Sequence, residues 1–202
     1  MSAVLAREAL DRIDFTRAKL DIGCGARKRG PDYVGVDRLD LPGVDVVGDI
    51  LDVLATIPDG VVDEIYCSHF LEHIDDLGGM LAEMCRVLRR AGHLEVVVPH
   101  FSNPYFASDP THRRAFGLYT FSYLTADAPL RRQVPQYGDS LPLRLERVIL
   151  GFKSTPPFYG RHAFKRTVGA FVNLMRWTRE FYEENLVYLV PCYELRFSLV
   201  RL

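Results

Sequence analysis

The sequence predicts a doubly wound α/β domain built on a mostly parallel sheet. Three observations predict it. Short apolar runs recur through the first hundred residues, and several end at Gly or Asp. The first run leads into a glycine turn, Asp21-Ile22-Gly23-Cys24-Gly25. Between the fourth and fifth runs lies one clear amphipathic helix, so strand, helix and strand make a βαβ unit.

Taken in order, Val4, Leu5, Ala9 and Ile13 line one side of a short leading helix. Strands are expected at Lys19–Ile22, Tyr33–Val36, Val44–Val47, Glu64–Cys67 and Leu94–Val98, the last stopped by Pro99. Short apolar runs of this kind suit strands covered on both faces. In the helix, Leu77, Met80, Leu81, Met84 and Leu88 form one apolar stripe. Asp75 and Asp76 suit its N-terminus, Arg89 and Arg90 its C-terminus, and Gly92 its stop. Beyond residue 99 the pattern weakens. A helix is expected around Arg114 to Leu124, a long strand over Arg144–Phe152, and a helix marked by Phe164, Val168, Phe171, Met175 and Tyr182. Tyr193, Leu195, Phe197 and Leu199 alternate with polar residues, which predicts a closing strand.

The bulk numbers fit one globular domain over residues 1–202: a cofactor-binding half (1–99), an insert or substrate lid (100–142) and closing strands with a helix (143–202). Hydrophobic residues make up 48% and charged residues 25%, which excludes a disordered chain. The net charge of −1 provides no broad positive field for nucleic acid. The four cysteines form no C-x-x-C pair, so a reducing, cytoplasmic setting is expected rather than a disulfide framework. No stretch reaches the ~20 apolar residues of a membrane span, and residues 1–15 do not read as a signal peptide.

The glycine turn alone is ambiguous, because Lys28 stands where a dinucleotide fingerprint wants a third glycine. Two acids give it meaning. Asp37 ends the second strand, where a carboxylate can accept ribose hydroxyls, and Asp49 follows the third, where it can accept from an exocyclic amine. The carboxyl edge of a parallel sheet is where such ligands bind. Each acid alone is equally compatible with turn or cap chemistry.

Together, Leu20 to Gly25, Gly35-Val36-Asp37, Gly48-Asp49, Asp63 to His73 and Glu83 to Leu94 resemble the class I S-adenosylmethionine-dependent methyltransferases. The resemblance covers residues 18–99. It implies a Rossmann-like, seven-stranded sheet with an antiparallel last strand, and S-adenosylmethionine as cofactor. It further implies that Asp21 orients the methionine amino group through the loop, that Gly23 and Gly25 face the cofactor, and that Asp37 holds the ribose. Asp49 and Ile50 would hold the adenine, and Ser68 and His69 would lie near the transferred methyl. Arg27, Lys28 and Arg29 depart from the plainest pattern and are either solvated or available to an anionic substrate.

Methyl transfer to a hydroxyl benefits from a base, and histidine suits neutral pH. His69 and His100 are the candidate bases, whereas His73 in Leu-Glu-His reads as structural. The insert brings Tyr105, Asp109, His112 and Arg113 together with His100 as candidate substrate contacts. His100, Asp109 and His112 also have the composition of a two-histidine, one-carboxylate metal site, but their spacing matches no strong metal signature, and no metal is assigned. The expected acceptor is a small molecule or glycan, methylated on oxygen. The alternatives are a non-catalytic methyltransferase-like scaffold, with residues 182–193 as an interface, and a nucleic-acid methyltransferase. A dehydrogenase is disfavoured by Lys28.

Overall fold

The computed structural model describes residues 13–127, 129–136 and 140–202. Of the expected leading helix, only Ile13 falls among them.

One sheet organises the chain. Its strands are β1 (Lys19–Ile22), β2 (Tyr33–Asp37), β3 (Val46–Val47), β4 (Val62–Ser68), β5 (Leu88–Pro99), β6 (Thr125–Asp127), β7 (Leu141–Gly151) and β8 (Glu194–Arg201). The spatial order is β3-β2-β1-β4-β5-β8-β7-β6. Strands β1 to β5 run parallel, and β8 lies antiparallel between β5 and β7. The sheet is therefore the expected Rossmann-like type, with eight strands among the described residues instead of seven. The eighth is the short edge strand β6, parallel to β7, in a part of the insert with little periodicity. Strand order reverses between β1 and β4, which makes their carboxyl ends the switch point where ligands bind in such sheets.

The core explains the apolar runs. Val96, Val97 and Val98 of β5 are all buried, so both faces of that strand are covered. On β8, Leu195, Phe197 and Leu199 are fully buried while Arg196 is exposed, as the alternation predicts.

Among the described residues, four α-helices complete the frame: α1 (Ile50–Thr56), α2 (Leu77–Val87), α3 (Tyr159–Val172) and α4 (Arg176–Asn185). Asp76 caps α2, accepting from Gly79 N at 2.9 Å. The helix ends earlier than its stripe suggests, because Leu88 already pairs with Val62 in the sheet. Gly92 is thus not a helix stop. It lies within β5, where a Cβ would stand 2.8 Å from Arg89 O and 3.1 Å from Asp63 O. The helix expected through Met175 and Tyr182 is two helices. Asn173 breaks it by accepting from Leu150 N at 3.0 Å while donating to Leu150 O at 2.8 Å. The helix expected over Arg114–Leu124 is confined to a 3-10 turn at Thr120–Tyr123. The backbone before it is committed elsewhere: Arg113 N donates to Glu72 O, and Phe116 O accepts from Phe101 N.

Candidate functional site

The β1 turn is built for close approach. Gly23 and Gly25 have φ of +67° and +56°, a region that disfavours residues with a Cβ. A Cβ on Gly23 would also meet Phe70 Cδ2 at 2.8 Å. The turn hangs from β2, because Gly23 N donates to Val36 O and Gly25 N to Asp37 Oδ2, at 2.8 and 2.9 Å. Asp37 Oδ1 accepts from Leu39 N at 2.9 Å. A carboxylate has about four lone-pair positions. Two backbone bonds leave capacity for a ribose diol, so this residue fits the group expected there.

Asp21 is buried and accepts from Arg29 N at 2.6 Å. Burial raises its pKa, and the Arg29 amide and the neighbouring Arg29 and Lys28 charges oppose that rise. Asp21 therefore shapes the loop that follows the turn. Burial, with Asp21 and Asp37 nearby, pushes the Cys24 thiol up to about 11, which keeps it protonated at neutral pH.

The basic residues of this loop are partly occupied. Lys28 Nζ pairs with Asp45 at 2.7 Å, and the Arg29 guanidinium lies 4.2 Å from the Tyr66 ring centre. Arg27 is exposed.

Asp49 caps α1, accepting from Leu51 N at 2.9 Å, and its side chain is exposed at the end of the β3 segment. The Ile50 side chain is buried in the core.

At the β4 tip, Ser68 is half-buried and His69 is exposed with φ of +55°. That conformation is uncommon for a residue with a side chain and is typical of constrained sites. His69 Nδ1 stands 3.3 Å from Glu72 Oε1.

The other candidate base is placed differently from expectation. His100 is fully buried. Its Nδ1 accepts from Ser102 N at 3.0 Å, which puts the proton of the neutral ring on Nε2, 2.9 Å from Glu183 Oε2. The other Glu183 oxygen accepts from Leu118 N at 2.8 Å. With both nitrogens engaged and no exposed surface, His100 is a tie between β5 and α4, not a group open to substrate. It therefore does not join Asp109 and His112 as a metal set.

The remaining insert residues diverge. Tyr105 is exposed, with its hydroxyl 3.2 Å from Thr155 Oγ1. Arg113 is exposed beside Asp75, 3.7 Å away. Asp109 accepts from Thr111 N and Oγ1 at 2.8 and 2.6 Å. His112 packs against Phe106 and His73. The insert is tied down because Arg113 N and Arg114 N both donate to Glu72 O, while the Arg114 guanidinium donates to Ile74 O and Asp75 O.

Two concavities flank this region. One of about 500 Å³ is lined by Asp76, Arg114, Tyr119, Thr120, Tyr123 and Glu183, among others. The other, about 830 Å³, lies between Arg131, Arg132 and α4. Neither lining includes the glycine turn.

Residues 20–96 match the model of a methyltransferase domain. Over these residues the chain is similar to the cofactor-binding half of S-adenosylmethionine-dependent methyltransferases. The match spans the strand tips just described and stops before the insert. The chain resembles an S-adenosylmethionine-dependent methyltransferase from Archaeoglobus fulgidus, with 18% identity, coverage of 98% of this chain and 93% of the other, and a TM-score of 0.56. It also resembles the YcgJ protein from Bacillus subtilis, with 16% identity, coverage of 97% and 95%, and a TM-score of 0.51. These likenesses speak to the fold. No curated protein matches the sequence. Among the described residues, no helix is long and apolar enough to cross a membrane.

Sequence reasoning missed three residues at this edge. Glu183 lies in a distant helix, and nothing in its neighbourhood signals a partnership with His100. Phe70 is visible as an aromatic residue, but its packing under Gly23 is a tertiary fact. Glu72 stands in plain sight beside His73, yet its burial appears only in three dimensions.

Proposed function

We propose that this chain methylates a hydroxyl of a small molecule or glycan seated in the concavity between the insert and the start of α2. The observation that carries this reading is the lining of that concavity. Its size of about 500 Å³ suits a sugar-sized ligand, and tyrosine, threonine, arginine and carboxylate groups suit a polyol.

S-adenosylmethionine, when bound, supplies a methyl group already activated on a sulfonium. Asp37 would accept hydrogen bonds from the ribose hydroxyls and Asp49 one from the adenine amine, and the Gly23–Gly25 turn would admit the methionine end. The cofactor's methyl would pass to an acceptor oxygen with cleavage of the carbon–sulfur bond, which would leave S-adenosylhomocysteine. An acceptor reaching from the concavity to the β4 tip would pass its proton to His69, which is exposed there and lies outside that lining. Alignment supplies most of the rate, and the base adds to it.

The test uses the full chain with S-adenosylmethionine and a panel of sugars, phenols and nucleosides. Release of S-adenosylhomocysteine with a methylated sugar supports the reading, and transfer only to nitrogen or to nucleic acid defeats it. His69→Ala should bind S-adenosylhomocysteine normally and turn over at least tenfold more slowly. Asp37→Ala should bind it at least tenfold more weakly, as the loss of charged hydrogen bonds predicts.

A second reading, a scaffold that grips another protein, draws on the apolar face of α3 and α4. Phe164, Phe171, Trp177 and Phe181 are all about half or more exposed. Cofactor binding without turnover on any acceptor, combined with hetero-complex formation, would favour it.

A further inference from the structure

Glu72 lies in the 3-10 turn Leu71–His73, directly after the β4 tip. It is fully buried, and neither carboxylate oxygen has a hydrogen-bond partner. His69 Nδ1 is near Oε1 but outside hydrogen-bonding geometry. A buried carboxylate is retained where something compensates its charge.

Two imidazoles stand beside it. One ligating atom from each of Glu72, His73 and His112 lies within 4.8 Å of the other two. Loop oxygens hold both rings from behind. Nδ1 of His112 is 2.8 Å from Phe106 O, and Nδ1 of His73 is 3.0 Å from Thr111 Oγ1. A proton on Nδ1 in each ring leaves the Nε2 lone pair for a cation, which is how second-shell oxygens set the tautomer of metal-bound histidine. Thr111 is itself fixed by Asp109, whose Oδ2 is 3.7 Å from His112 Nε2.

We propose that Glu72, His73 and His112 bind a divalent transition-metal ion, which pins the insert loop to the β4 tip. Two neutral imidazoles and one carboxylate suit zinc or iron(II), whereas magnesium and calcium favour all-oxygen sites. Around zinc, neighbouring donors stand about 3.4 Å apart. The backbone already joins the same two segments, through Arg113 N and Glu72 O at 2.7 Å. The ion adds a side-chain clamp to that tie.

The full chain, stripped by a chelator and dialysed, is titrated with Zn²⁺ by calorimetry and with Co²⁺ by visible absorption. One equivalent of each should bind, with micromolar or tighter affinity, and Co²⁺ should show ligand-field bands without thiolate charge transfer. Zn²⁺ should also raise the melting temperature. His112→Ala and Glu72→Gln should lose at least tenfold in affinity, and with it the Zn²⁺-dependent rise in melting temperature. Wild-type protein that binds no Zn²⁺ or Co²⁺ saturably would overturn the site, as would thiolate bands or unchanged binding in folded variants. Should a variant fail to fold, the stoichiometry and spectrum of the wild-type protein decide alone. None of these measurements requires methyl transfer, so this site and the proposed acceptor fail separately.

Discussion

The two halves of the sheet use their polar side chains in opposite ways. At the tips of β1 to β4, Asp37 and Asp49 spend part of their hydrogen-bonding capacity on the backbone and keep the rest at the carboxyl edge of the sheet. Beyond β5, the most conspicuous polar residue of the insert, His100, spends all of it inside. Glu194 is similar, buried between Lys153 and Arg196. The difference teaches that a histidine or acid next to a strand end is not by itself a reactive group. The partners it meets in the folded chain decide whether it binds a ligand or fastens two elements.

Substitutions should separate the halves. The largest expected loss of stability is from His100→Ala, which opens a cavity and strips the Glu183 carboxylate of one of its two donors. A cost of about 2–4 kcal/mol is expected, with affinity for S-adenosylhomocysteine nearly unchanged. Denaturant unfolding and calorimetry on the same preparation check both halves of that statement. Unaltered stability with lost turnover would return His100 to the chemistry and break the comparison.

Gly23→Ala should act in the other direction. The left-handed backbone costs about 1–2 kcal/mol for a residue with a Cβ, and Phe70 must move. Affinity for S-adenosylhomocysteine should fall at least tenfold, by more than the same change at exposed Gly160, whose Cβ would meet nothing within 4 Å.

Glu194 offers a pH test. Burial opposes its ionisation, but Lys153 and Arg196 outweigh burial and hold its pKa below the ordinary glutamate value. A depressed folded pKa stabilises the protein above the unfolded value, near 4.3, and that stabilisation is lost as pH falls through the lower folded value. Glu194→Gln should therefore cost about 1 kcal/mol at pH 7, a modest figure because both cations are half-exposed. The two proteins should converge in acid, as thermal melts between pH 7 and 2.5 would show. A constant gap would sink the assignment.

The smallest effect belongs to Asp49. Removing the α1 cap in Asp49→Ala should cost about 1 kcal/mol, whereas Asp49→Asn should keep the cap. Weaker cofactor binding in both variants, with stability lost only in Ala, would divide its two roles.

The legibility of the two halves follows the same divide. Strands β1, β2, β4 and β5 could be read because their apolar runs and terminal acids are local patterns. The helix α2 could be read from its stripe, but its end could not, since Leu88 is taken by pairing with Val62. In the insert, Arg113, Arg114 and Phe116 give their backbones to partners far along the chain, and no local period records that. The candidate cofactor residues were visible as a spaced set. Glu72 and Glu183 were not, because burial and partnership arise only when distant segments meet.

The position of β8 has a further consequence for how the chain is made. Strand β5 pairs on one side with β4, close in sequence, and on the other with β8, roughly a hundred residues later. During synthesis the cofactor half emerges with the far edge of β5, including Val96, Val97 and Val98, still unpaired. An open apolar edge of this kind invites pairing with another chain. The nascent protein thus passes through an interval in which its sheet is sticky, and arrival of β8 ends it. Slowing translation beyond residue 99 should lower the soluble yield, and supplying β8 as a separate peptide should partly restore it.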